Sequence, residues 1–210
     1  MDPTPISAPF AARRQRIVDA AARLFADAPY AEVHMDAVAA AARVAKPTLY
    51  RYFATKEELF VEALEQTLTR LRGEIEAIRA EPQPSEARLR RTVALILNRI
   101  GRLAPAIQAA ESASTDSATQ SRRVLRQGFR NLRQAIGGLV VDGHDEGVFG
   151  RVDPDVAALV ILGGIRMAAH AQIGAHELAD SMSDLFLHGL SSGGEPTRRP
   201  APALTSGAFA

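Results

Sequence analysis

The chain has no cysteine, which removes a disulfide framework, thiolate chemistry and cysteine-ligated zinc together. It also lacks a long apolar run. The longest, Val156 to Ile165, is halted by Arg166 and is too short to span a bilayer. The opening MDPTPISAPF has no charged region followed by an apolar stretch, so no secretory leader is expected; the protein should be cytoplasmic, with no membrane partner. Excess charge is small: 25 Lys and Arg against 24 Asp and Glu give a net +1. Any affinity for a polyanion must therefore come from a local patch. No strand-type alternation and no internal repeat is found. His144, His170 and His176 show no HxxxH or carboxylate spacing, so neither a metal nor a cofactor is expected. Gly189-Leu190-Ser191-Ser192-Gly193 fits the G-x-S-x-G pattern. Its serine follows a helix rather than entering a strand–turn–helix elbow, so no catalytic residue is assigned.

What is present is helical. With 210 residues and 47% hydrophobic content, the chain can form one large core or a small domain joined to a larger one. From Arg13 onward, Ile17, Ala20, Ala21, Leu24 and Phe25 follow the i, i+3, i+4, i+7, i+8 pattern of an amphipathic helix. It should stop near Asp27-Ala28-Pro29, because proline disfavours helix in the residue before it. A second helix is expected from about Met35 to Ala42, with Val38 and Ala42 sharing its buried face. A turn at Arg43-Val44-Ala45 leads into a third.

That third helix carries the clearest signal. Arg43, Lys46, Arg51 and Lys56 are basic with no acid between them, and Lys46 and Lys56 are the only two lysines in the chain. Pro47 falls in the first turn, where the missing N–H has no intrahelical partner. Leu49 and Phe53, four apart, can face a core together and leave Thr48, Arg51 and Tyr52 outward. Thr55 and Glu58 make a capping box that opens the next helix. A short helix exposing cations and hydroxyls over a narrow apolar stripe suits a nucleic-acid groove. Two short helices joined by a tight turn, on a supporting third, form a helix-turn-helix module.

Residues from about Arg13 to Leu64 resemble the DNA-binding domain of the tetracycline-repressor (TetR) family of transcriptional regulators. The matching stretches are IVDAAARLFAD, MDAVAAAARVAKPTLYRYF and TKEELF. There are two departures: Arg43 stands where the turn usually carries glycine, and Ala45 where the recognition helix usually opens with a serine cap. The resemblance implies phosphate contacts from Arg13, Arg14, Tyr50 and Lys56. It implies base reading by Lys46, Thr48, Arg51 and Tyr52, with Pro47 against a thymine methyl and His34 also at the DNA.

The rest is helical and less specific. The Thr55 helix should run to about Arg79 on Leu59, Phe60, Ala63, Leu64, Leu68, Leu71 and Ile75. Ser85 should cap a helix through Leu103, broken by Pro105, with a short segment from Ala106 to about Ala113. A long helix from about Ala118 to Asp145 contains Gly137 and Gly138, which signal close packing or a kink, and Gly147 ends it. Asp153-Pro154 opens an apolar helix to about Ile173, and a last helix spans about Glu177 to Leu190. The run Arg122, Arg123, Arg126, Arg130, Arg133 reads as a solvated face paired with acids such as Asp142 and Asp145, the alternative being a functional anion or partner site.

The expected fold is all-α with about nine helices. Residues 1–12 form a disordered arm, 13–60 the helix-turn-helix domain, 61–190 a ligand-binding and dimerisation domain, and 191–210 a disordered tail. DEGVFGRVDPDVAAL also resembles the family, at the entry to its penultimate helix. The resemblance implies a homodimer through the last two helices. The apolar residues around the helix from Pro154, with a partner stripe at Leu178, Met182, Leu185, Phe186 and Leu190, independently call for burial on two sides, in a dimer or, as the alternative, in an ordinary monomer core. The resemblance also implies a small-molecule pocket lined by Leu95, Arg99, Leu103, Ile107, Phe129, Arg166 and His170. The expected function is a ligand-responsive regulator, a repressor released from double-stranded operator DNA by an effector. The competing class is a helical small-molecule-binding protein or enzyme whose N-terminal helices merely pack. It would show no salt-dependent DNA binding.

Overall fold

The 3.6-residue periodicity is realised as eight α-helices and one 3-10 turn among the residues described by the computed structural model, which are 8–112, 116–150, 152–170 and 175–190. The helices are α1 (Ala8–Asp27), α2 (Met35–Ala41), α3 (Lys46–Tyr52), α4 (Lys56–Arg79), α5 (Ser85–Ser112), α6 (Asp116–Asp145), α7 (Pro154–His170) and α8 (Ala175–Leu190). The 3-10 turn, Tyr30–Glu32, follows Pro29. The fold is all-α. Helices α1 to α3 form a small head on the first turns of α4. Helix α4 continues into the body, where α6 packs against α4, α5 and α7, and α5 packs against α7 and α8.

The start signals act as expected. Thr55 Oγ1 accepts a hydrogen bond from the Glu58 amide at 3.1 Å, while the Glu58 carboxylate accepts from the Ala54 amide at 3.0 Å, one residue earlier than in the usual reciprocal box. Asp153 Oδ1 accepts from the amides of Asp155 (2.8 Å) and Val156 (3.2 Å), with Pro154 as the first helical residue. Gly147, at φ 72°, takes the left-handed conformation that stops α6.

Two boundaries differ from expectation. Helix α1 begins at Ala8, so the part of the 1–12 arm from Ala8 on is helical; Phe10 packs into the head and stabilises the added turn. Residues 1–7 and the 191–210 tail lie outside the described residues, as does the serine of the G-x-S-x-G pattern. Helix α5 continues through Pro105, so the segment from Ala106 is not a separate helix. A proline removes one intrahelical bond and crowds the carbonyl four residues back, and α5 carries that cost without breaking.

The far end of α4 is fastened by charge. Arg79 forks onto Asp142 of α6 through Nε (2.7 Å) and Nη2 (2.8 Å). Buried Arg88 of α5 donates to the Arg79 carbonyl and to Ser85 Oγ, both at 2.7 Å, and pairs with Glu146. Gly138 makes room, since a methyl group there would sit 2.5 Å from the Arg79 guanidinium. Gly137 packs on Pro154, so close packing accounts for both glycines. Hydrogen bonding to Arg79 holds the Asp142 carboxyl below its usual range, and the Ser85 hydrogen bonds do the same for Glu146.

Candidate nucleic-acid interface and ligand groove

Leu49 and Phe53 are fully buried and seat α3 on the head, which turns Lys46, Pro47, Tyr50 and Arg51 to solvent and leaves Thr48 half-buried. The turn before α3 is closed by bonds from the Arg43 amide to the Ala40 carbonyl (3.1 Å) and from the Val44 amide to the Ala39 carbonyl (3.0 Å). That pattern needs a left-handed residue, and Arg43 supplies it at φ 56° despite its side chain. Ala45 occupies the cap position of α3 without a side-chain hydrogen bond. Both departures from the usual turn are therefore real structural costs.

Tyr52 is not outward. It is 8% exposed, and its ring lies 4.4 Å from that of Phe10. Tyr52 is three residues from Leu49 and shares its face, so the i, i+3 relation that places it in the core overrides the polarity of its hydroxyl. Its expected part in base reading is withdrawn.

The cations are distributed unevenly. Arg13, His34 and Arg51 are exposed, the last with its guanidinium carbon 5.8 Å from the Tyr52 ring. Lys46 is paired with Asp36 of α2 at 2.7 Å, and that partner raises its pKa. Arg14 is paired with Glu62 and lies 4.9 Å over the Phe53 ring. Lys56 donates to the Ala31 carbonyl at 3.3 Å and sits 4.3 Å over the Tyr30 ring, and partial burial lowers its pKa. Tyr30 donates to Glu57 at 3.0 Å; burial and that bond raise its pKa. These partners were not legible from the local pattern, because Asp36, Glu62 and Ala31 lie on other elements.

A groove of about 490 Å³ opens between α6 and α7. Its apolar lining is Leu125, Phe129, Leu159 and Leu162, and its polar lining is Arg122, Arg126, Arg130, Arg133 and Arg166. Of the pocket residues expected from sequence, Phe129 and Arg166 line this groove. Leu95 is half-buried against the core. Arg99 belongs elsewhere: it binds Glu74 at 3.0 Å in a polar groove with Asp19 and Arg70. The side chains of Leu103, Ile107 and His170 lie outside the described residues. The arginine run does not pair with Asp142, which Arg79 and Arg88 occupy, and Arg133 instead approaches Asp155 at 3.6 Å. The spacing of positions 122, 126, 130 and 133 puts them on one helix face, and that was the available signal for a lined groove.

Helices α7 and α8 also present an open apolar face, with Leu159 60%, Met167 68% and Leu185 70% exposed. Phe186, expected on that face, is instead buried, close to Gly164 of α7. Among the described residues no three His, Asp or Glu gather as metal ligands, and no helix is long and apolar enough to cross a membrane.

Residues 17–63 match the family described as "Bacterial regulatory proteins, tetR family", and residues 82–190 match "Tetracyclin repressor-like, C-terminal domain". The chain is 26% identical over 150 residues to the uncharacterised HTH-type transcriptional regulator YhgD of Bacillus subtilis, covering 71% of this chain and 78% of that one. It is 48% identical over 59 residues to the HTH-type transcriptional repressor KstR of Rhodococcus jostii, covering 28% of each chain. Its fold is similar to that of the Bacillus subtilis regulator FadR in complex with stearoyl-CoA, with TM-score 0.64, 19% identity, and coverage of 84% of this chain and 98% of that one.

Proposed function

The chain belongs to the TetR family of bacterial regulatory proteins, and we propose that it acts as a homodimeric repressor released from its operator by a small molecule. Membership makes it a ligand-responsive DNA-binding regulator. The observation that carries the finer reading is the surface of α3, where Pro47, Tyr50 and Arg51 stand exposed over a stripe anchored by Leu49. Arg51 reads a base edge, Pro47 meets a thymine methyl, and Lys46 and Thr48 contact the groove. Arg13, Arg14, His34, Tyr50 and Lys56 bind phosphate or lie beside it. Lys46, Arg14 and Lys56 exchange their present protein partners for DNA, which lowers their net gain relative to Arg13 and Arg51.

One module touches too little groove to be selective. A second copy docks on the open α7–α8 face, and the two-fold pair reads half-sites about 34 Å apart. The effector enters the α6–α7 groove around Phe129 and Arg166 and favours the conformation that does not fit the operator. Such a regulator works in the cytoplasm, where its DNA is.

Enrichment from a random duplex library, followed by footprinting and salt titration, tests the reading. It should return two half-sites one helical turn apart, with log affinity falling linearly in log salt. Failure to enrich any duplex, with no salt-dependent binding, would favour the helical small-molecule-binding protein or enzyme.

A further inference from the structure

The α6–α7 groove joins two surfaces of opposite chemistry. Phe129 and Leu125 of α6 and Leu159 and Leu162 of α7 form an apolar lining, and five arginines complete it. Among the described residues no acidic side chain lines it. Four of those arginines lie at positions 122, 126, 130 and 133 of α6, one face of the helix over about 16 Å at 1.5 Å per residue. Like charges three or four apart on a helix repel, so the row concentrates positive charge along one side of the groove. Arg133 Nε is buried and makes no hydrogen bond, with the Asp155 carboxylate 3.6 Å away, and Arg130 is held by the neutral Gln127. The volume of about 490 Å³ lies in the range of small-molecule sites and is too small for a macromolecular segment.

We propose that this groove binds an amphipathic organic anion, with its hydrocarbon or aromatic body against Phe129 and the leucines and a phosphate or carboxylate head held by the arginines. Guanidinium groups fork onto such oxygens in charge-assisted pairs, and several in a row suit a head carrying more than one charge. The inference deepens the effector reading above and rests on it for the regulatory consequence only.

Calorimetry on the full chain tests it, with dodecyl phosphate below its micelle concentration, dodecanol and inorganic phosphate as probes. Dodecyl phosphate should bind at least about tenfold more tightly than either of the others, since each supplies only half of the chemistry. Replacing Arg126 and Arg130 together by glutamine should weaken dodecyl phosphate about tenfold, reduce the salt dependence, and leave the fold unchanged because both residues are exposed. Equal binding of dodecanol, or no effect of the double substitution, would overturn the proposal. Binding seen only in a Leu185→Asp monomer would also overturn it, by showing that a second copy fills the groove. Release of the selected operator duplex is measured in parallel. Tight, arginine-dependent binding without release would leave the anion site standing and remove the effector reading.

Discussion

The rings of Phe10 and Tyr52 lie 4.4 Å apart, so the first turn of α1 forms the floor beneath the last turn of the recognition helix. The contact joins two segments more than forty residues apart and fixes the tilt of α3 from behind. Phe10→Ala should therefore destabilise the head by about 1–2 kcal/mol, as suits a partly buried ring, and weaken operator binding through loosening of α3. Tyr52→Phe should leave base preference unchanged, because the hydroxyl is not at the groove. Altered specificity of Tyr52→Phe in competition binding would return Tyr52 to the reading surface.

Arg51 and Arg13 are both exposed, yet they should fail differently. Arg51→Ala should lose about 1–3 kcal/mol of discrimination at one base pair. Arg13→Ala should weaken every duplex alike and reduce the salt slope by about one. Equal losses on operator and random DNA for Arg51→Ala would end its role as a reader.

The uncapped start of α3 gives a test of stability. Ala45→Ser places a hydroxyl where the amides of the first turn need an acceptor, which should add about 1 kcal/mol and raise the melting temperature by about 2–4 °C. No change would mean that the serine rotamer does not reach the α3 amides.

Leu185 is 70% exposed on α8 and Met167 68% exposed on α7. Leu185→Asp and Met167→Asp should each give a monomer of undiminished helicity that keeps weak nonspecific DNA binding and loses tight operator binding. Sedimentation of an intact dimer in both variants would place the interface elsewhere.

Asp142 should make stability depend on acid. Its folded pKa is lowered, chiefly by Arg79, so its contribution is complete above the ordinary carboxylate range near pH 4 and is lost as pH falls through the lower folded value. Asp142→Asn should cost about 1–2 kcal/mol at neutral pH, or about 2–8 °C, because partly exposed Arg79 loses its charged partner while Arg88 keeps Glu146. The variant should also show a flatter melting profile below pH 4. An unchanged acid limb would assign that limb to other carboxylates.

Where the information was local, the sequence was enough. Thr55-x-x-Glu58 and Asp153-Pro154 opened α4 and α7 as read, and the stripe from Leu59 to Ile75 is buried along its length. Whatever depended on a distant partner was not legible. Tyr52 needed Phe10, Lys46 needed Asp36, and Asp142 was claimed by Arg79 rather than by the arginine run on its own helix. Pro105 carried a true local signal that the continuous backbone of α5 overrode. The groove residues were visible as a spaced row of arginines, but nothing in the row indicated the leucines of α7 across from it.

The fork of Arg79 on Asp142 fixes one end of a rod. Helix α4 has 24 residues, about 36 Å at 1.5 Å per residue, and its other end is the Thr55 cap next to α3. Small-angle geometry then sets a gear ratio: a rotation of about 5° at the fastened end sweeps the capped end through about 3 Å. One step along a DNA strand is about 3.4 Å. A rotation of that size at the body would thus carry the capped end of α4 through nearly a base step.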